Sequence, residues 1–188
     1  GTIPVRISGM NMCKFNGSTD IIKLSDIYRV GTGDFSISVW ASMDSSATGL
    51  QRVCGKKGIA AANVGYSIYW NADTNKLMHS TANGTTANEY YTTSTLTKGE
   101  LHHIVMVRDS SDSNKGYFYI DGVKISITGQ VNSSSLDSAD VFSIGATPDP
   151  MLYFNGAIGD IHIFNKALSQ SEVLGLYYSK PGLTFPIV

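Results

Sequence analysis

At 188 residues the chain suffices for one domain or a little more, and it can bury most of its apolar surface without a disulfide or metal staple. Only 15% of residues are charged, against about 25% in an average globular domain, and the net charge is −1. Lys56-Lys57 is the only adjacent basic pair and reads as a solvated loop, so no basic stripe for nucleic acid is present, and no apolar run approaches the roughly 18 residues of a membrane span.

Strand patterns recur at short spacing along the chain. Met10 to Phe15 and Ile21 to Leu24 are short candidates. Phe35-Ser36-Ile37-Ser38-Val39-Trp40 alternates apolar and polar residues, which predicts a strand with Phe35, Ile37 and Val39 on the core face and Trp40 opening a switch to the other face. Leu50 to Cys54 follows. Tyr66-Ser67-Ile68-Tyr69-Trp70 predicts another strand, then a turn over Asn71-Ala72-Asp73-Thr74-Asn75 and a return from Lys76 to Ser80. Leu101 to Asp109 is an apolar-rich run, and after a polar turn comes Tyr117 to Ile125, interrupted by Asp121-Gly122. Asp-Gly between β-prone runs predicts a hairpin, because a type I′ turn needs positive φ at both central residues. Val141 to Ile144 and Gly159 to Phe164 are late strands.

One helix is legible. Ser169-Gln170-Ser171-Glu172 forms a capping box: the serine accepts a backbone N–H three residues on while the glutamate reaches back. Val173, Leu174, Leu176 and Tyr177 follow, and Pro181-Gly182 marks the end. Many short strands with one terminal helix predict an all-β fold, a two-sheet sandwich with one short C-terminal helix. No linker or repeat divides the chain, so residues 1–188 read as one domain, with a tail over 179–188. No signal peptide is legible, and Gly1 reads as a processing start. Cys13 and Cys54 pair only if folding brings them together; otherwise they are two small buried hydrophobes.

Four segments resemble, in order, those of the laminin-G-like, concanavalin A-like lectin/glucanase jelly rolls, in particular the pentraxin-related branch found in bacterial surface and phage virion proteins. They are Phe15-Asn16-Gly17-Ser18-Thr19-Asp20; Phe35 to Trp40; Leu101 to Val107 with Tyr119-Ile120-Asp121-Gly122; and Phe154-Asn155-Gly156 through Ser169. The likeness spans about residues 10–178 and implies a two-sheet antiparallel jelly-roll sandwich with one short C-terminal helix. Leu101 stands where the family usually has tryptophan, and Gly159 where it has the first aspartate of a pair. The resemblance implies Ca²⁺ at the rim of the sandwich, with Asp20 and Asp160 in the segments that supply its oxygens; hard cations take several such ligands.

Glycosidases of this fold carry carboxylates at alternate positions of one strand, flanking the scissile bond. Here the only glutamates are Glu89, Glu100 and Glu172, none with an acidic residue two or four positions away. The expectation is therefore that the chain is not an enzyme. His102 and His103 are strand neighbours and point to opposite faces, so they cannot chelate one metal together. Sugar recognition uses aromatic platforms and planar amides on loops held by a rigid scaffold. Tyr69, Trp70, Asn71, Asp73 and Tyr91 supply that mix near turns, against the alternative that strand aromatics simply pack. Adjacent Tyr90 and Tyr91 face opposite ways in a strand.

Two functions are expected from different classes. One is a non-catalytic recognition module for a glycan or surface polysaccharide, on an extracellular, cell-surface or virion surface. The other is a decoration, cement or appendage subunit contacting other virion subunits through the extension Gly1 to Ser8 and the apolar tail at 181–188. A glycosidase with an unfamiliar site carries little weight, and neither a nucleic-acid partner nor membrane insertion is expected.

Overall fold

The computed structural model describes residues 3–7, 10–59 and 63–179. The tail at 181–188, with Pro181-Gly182, lies outside them, as do Gly1, Thr2 and Ser8 of the N-terminal extension. One sheet has seven strands in the order β1-β2-β13-β4-β9-β10-β11 and the other six, β3-β12-β5-β6-β7-β8. The seven-stranded sheet comprises β1 (Ile3–Ile7), β2 (Met10–Asn16), β4 (Phe35–Met43), β9 (His102–Arg108), β10 (Gly116–Ile120), β11 (Val123–Ile125) and β13 (Asn155–Phe164). The other comprises β3 (Ile22–Lys23), β5 (Leu50–Gly55), β6 (Gly65–Asn71), β7 (Lys76–Ala82), β8 (Ala87–Tyr91) and β12 (Ser143–Ile144). Pairing is antiparallel throughout, and α1 (Gln170–Tyr178) is the single helix among the described residues. The fold is thus the expected two-sheet jelly-roll sandwich.

Alternation places the core. Phe35, Ile37, Val39, Ala41 and Met43 join Ile104, Met106, Phe118, Ile68 and Trp70 in one buried cluster between the sheets. The opposite face of the seven-stranded sheet is also buried, because α1 and the segment before it lie over it: Leu168 and Val173 pack on Val105, Val107, Tyr117 and Tyr119. That double cover explains the apolar run in β9, which carries residues on two buried faces. The helix begins with the expected box, the Ser169 side chain accepting from the Glu172 backbone while Glu172 caps Ser169. Between β10 and β11, Asp121 and Gly122 take φ of 51° and 82° and Ile120 pairs with Val123, the two-residue turn that the dipeptide specifies.

Three expectations change and one open alternative is resolved. Five residues of the N-terminal extension form a strand paired with β2. Ala87–Tyr91 is an edge strand, although Asn, Glu and Ala are poor strand formers; pairing with β7 outweighs local preference. Cys13 and Cys54 are free thiols, the first half-buried and the second buried, so they do not pair, and burial pushes the Cys54 thiol up to about 12. Lys56 and Lys57 are not solvated: they are 0% and 1% exposed. Lys56 pairs with Asp26 and donates to the Asp140 carbonyl at 2.6 Å, and Lys57 faces Glu89 at 3.6 Å. A buried ammonium needs such partners, and they come from segments far off in sequence. Beside them Arg52, also fully buried, bonds Ser67 and the Lys57 carbonyl and lies 4.7 Å over the Tyr69 ring.

Candidate functional site

Two tripeptides of identical sequence meet at one end of the sandwich. Phe15-Asn16-Gly17 ends β2 and Phe154-Asn155-Gly156 begins β13, and the strands pair so that Asn16 lies opposite Asn155. Both phenylalanines are buried in the core, which turns the asparagines toward the rim. The Gly17 N–H donates to the Phe154 carbonyl at 2.9 Å. Gly156 has φ of 150°, and a Cβ there would stand 2.1 Å from the Ser42 carbonyl; only glycine lets β13 approach β4 this closely.

These strand ends border a cleft of about 310 Å³ lined by Asn16, Ser46, Thr48, Gln51, Tyr153 and Asn155. A second hollow of about 380 Å³ is lined by Gly156, next in sequence to Asn155, and by Lys14, Ser42, Asp44 and Ser45. The walls are held from behind. The Asp44 N–H donates to the Asn155 carbonyl at 2.9 Å, the Asn155 N–H donates to Gln51 Oε1 at 2.9 Å, and Gln51 Nε2 donates to the Thr48 carbonyl at 3.0 Å. Lys98 Nζ donates to the Ala47 carbonyl at 3.0 Å. The Ser46 hydroxyl and N–H, at 2.6 and 2.9 Å, together with Lys14, hold the Asp44 carboxyl below the usual carboxylate range. Leu152, next to the cleft, has φ of 51°, a left-handed conformation costing about 1–3 kcal/mol in a bulky residue; its carbonyl accepts the Arg52 N–H at 2.8 Å. Against this rigid frame the Asn155 amide, the Tyr153 hydroxyl and the Thr48 hydroxyl make no hydrogen bond among the described residues. Together they present planar amide, hydroxyl and aromatic groups, a set that can bind a polyhydroxylated ligand.

The sequence-predicted site residues are not brought together. Trp70 is fully buried in the inter-sheet core and Tyr69 is 2% exposed beneath Arg52, so neither is a surface platform: β6 lies inside its sheet and its two faces are both covered. Tyr91 is half-buried on edge strand β8, opposite Met78. Asn71 caps its own turn, its Oδ1 accepting the N–H groups of Asp73 and Thr74 at 3.0 Å. Asp73 reaches the cleft's frame, where its Oδ1 accepts the Gly49 N–H at 2.9 Å. Asp20 braces the same frame, accepting the Asn16 N–H at 3.1 Å, while Asn16 Oδ1 accepts three N–H groups of the loop. Asp160 bonds His162 at 2.9 Å within the β13 bulge. It lies five residues along β13 from Asn155, roughly 16 Å at strand spacing, so the two aspartates do not form one site. Among the described residues no group of three or more His, Cys, Asp or Glu side chains could hold a metal ion. His102 and His103 face opposite ways, as expected. Burial depresses His102, but the Asp121 carboxylate at 2.6 Å outweighs it and holds its pKa above the ordinary value.

Asn155, Tyr153, Gln51 and Thr48 were not anticipated. Their signal was the duplicated Phe-Asn-Gly, which carries no indication of function until the β2–β13 register places the copies side by side.

Comparison with curated proteins found no match. Among solved structures, Trypanosoma rangeli sialidase in complex with the inhibitor DANA superposes with a TM-score of 0.64 at 16% identity, over 96% of this chain and 29% of that one. A mutant of NanB sialidase from Streptococcus pneumoniae gives 0.68 at 18% identity, over 86% of this chain and 26% of that one. Domain 4 of AbnA, a GH43 extracellular arabinanase from Geobacillus stearothermophilus, in complex with arabinotriose, gives 0.72 at 19% identity, over 94% of this chain and 81% of that one. The chain thus spans well under a third of the sialidase chains and most of the arabinanase domain. The expectation that it is not an enzyme does not stand: the matching family is described by glucanases as well as lectins, and the same fold occurs in sialidase chains and in a domain of an arabinanase, so the missing acidic strand does not set the chain apart from enzymes. The alternating-carboxylate argument addressed a single strand pattern, which the fold does not require. The family's model matches residues 16–174, and the chain belongs to the concanavalin A-like lectin/glucanases superfamily, as a laminin G-type member.

Proposed function

We propose that this chain is a carbohydrate-recognition domain of a carbohydrate-active protein and takes its glycan in the rim cleft between Asn16, Thr48, Gln51, Tyr153 and Asn155. One observation carries the reading: unbonded amide and hydroxyl groups stand on a frame fixed by backbone hydrogen bonds, so little loop ordering is required on binding. Family membership and solved chains named for sialic acid and arabinotriose supply the ligand class. Fold alone does not assign a sugar.

The test is a glycan array with sialylated and arabinan oligosaccharides, run with calcium and with chelator, because the oxygen-rich Asn16–Asp20 loop borders the cleft. Asn155→Ala removes a bidentate amide and is expected to weaken binding about tenfold while the thermal midpoint stays close to that of the wild type. The same oligosaccharides are assayed for sugar release, which reads glycosidase activity directly. A blank array under both conditions, or Asn155→Ala binding as tightly as wild type, refutes the cleft.

A further inference from the structure

At the opposite end of the sandwich lies a smaller pocket unlike the glycan cleft. It is about 130 Å³ and is lined by Thr32, Arg108, Ser110, Lys115 and Ser133. Arg108 pairs with Phe35 at the start of β4, whereas the cleft adjoins Met43 at its end, roughly 26 Å away at strand spacing. The pocket is too small for a drug-sized ligand, which occupies about 300–1,000 Å³, but has room for a single polar group.

Its chemistry is cationic. Arg108 is 3% exposed, and a guanidinium stays charged even when buried. Its bonded partners are backbone carbonyls, those of Gly31 at 3.0 Å, Gly33 at 3.5 Å and Ser134 at 2.9 Å; no ion pair neutralises it among the described residues. Half-buried Lys115, held at φ of 56°, donates Nζ to the Ser110 carbonyl at 2.8 Å and keeps further donors free. The Thr32 and Ser133 hydroxyls make no hydrogen bond among the described residues. Asp34, whose charge attracts Arg108 without an ion pair between them, does not line the pocket and is occupied by the Ser110 N–H at 2.8 Å and hydroxyl at 3.3 Å. A buried charge without a bonded counter-charge is costly, and left-handed backbone of this kind clusters at ligand sites.

We propose that this pocket binds a small oxyanion, the sulfate, phosphate or carboxylate group of a free ion or of an acidic sugar, between the Arg108 and Lys115 cations with the Thr32 and Ser133 hydroxyls as further donors. The site is independent of the rim cleft.

Calorimetric titration of the full chain, at constant ionic strength, uses sodium sulfate in one arm and a sulfated disaccharide with its unsulfated parent in the other. Saturable heat at one equivalent is expected from sulfate. Lys115→Gln should weaken it about tenfold or more, the scale of one charge-assisted bond, and Ser133→Ala less, while the remote Lys23→Gln changes nothing. Both pocket variants alter rim side chains, so they avoid the folding defect Arg108 variants risk. Tighter binding of the sulfated disaccharide than of sulfate assigns an acidic sugar; sulfate binding without that gain assigns a free ion. Sulfate also stabilises proteins by exclusion from their surfaces, so an effect that does not saturate, or is equal in Lys115→Gln and Lys23→Gln, overturns the proposal, as does the absence of heat in both arms.

Discussion

His103→Gln should flatten the acid limb of stability. The imidazole is 1% exposed, its Nε2 2.8 Å from Ser38 Oγ, with ring centroids 4.9 Å from Trp40 and 6.0 Å from Tyr177 of α1. Burial pushes its pKa down from 6.5 to about 4, against the attraction of Asp121 and Asp160. Between those values the unfolded chain binds a proton that the folded chain refuses, so stability falls as pH drops through the window and levels off below about 4. The loss amounts to about 3 kcal/mol. At a urea slope on the order of 2 kcal/mol/M this is a midpoint shift of about 1.5 M. Glutamine does not titrate and can still bond Ser38. His79, depressed to about 3 by complete burial, acts in the same sense. His102 is raised, so the stability it adds is present below its unfolded value and lost as pH rises through its folded one. Both remain in the variant and cancel in the comparison. Urea midpoints at pH 7 and pH 4 should therefore lie about 1.5 M closer together in His103→Gln than in wild type; parallel pH profiles would refute the reasoning.

Other substitutions probe the frame. Trp70→Ala, at a fully buried core position, should cost about 3–5 kcal/mol in urea unfolding; a loss under 1 kcal/mol would place the indole outside the core. Gly156→Ala should destabilise by about 1–3 kcal/mol, read as a lower thermal midpoint with weaker glycan binding, because its Cβ meets the Ser42 carbonyl. Ser169→Ala removes the cap of α1 and should cost about 1 kcal/mol, or about 2–4 °C in a chain of this size, with glycan binding unchanged because α1 lies away from the cleft.

Local chemistry was legible wherever neighbours in sequence remain neighbours in space. The two-residue alternation of Phe35 to Val39, the Asp121-Gly122 turn and the Ser169 capping box each depend on a few adjacent residues, and all appear as written. The four segments that carry the resemblance, taken in order, likewise sufficed for the family. The functional end was not legible in this way. Trp70 read as a platform because strand periodicity reports which residues share a face, not whether that face is covered. Lys56 and Lys57 read as solvated because Asp26, Asp140 and Glu89, which accompany them into the interior, are dozens of residues away. The acidic-strand test spoke against an enzyme, and the fold shared with sialidases and an arabinanase overturned it. Asn16 and Asn155 become one site, and Thr32, Arg108 and Ser133 become one pocket, only through the register of antiparallel strands and the closure of long loops. Sequence alone determined the family and the elements other than β1 and β8, through short-range backbone and burial preferences; tertiary structure decided which distant polar groups meet, because in a sandwich most such meetings join residues far apart along the chain.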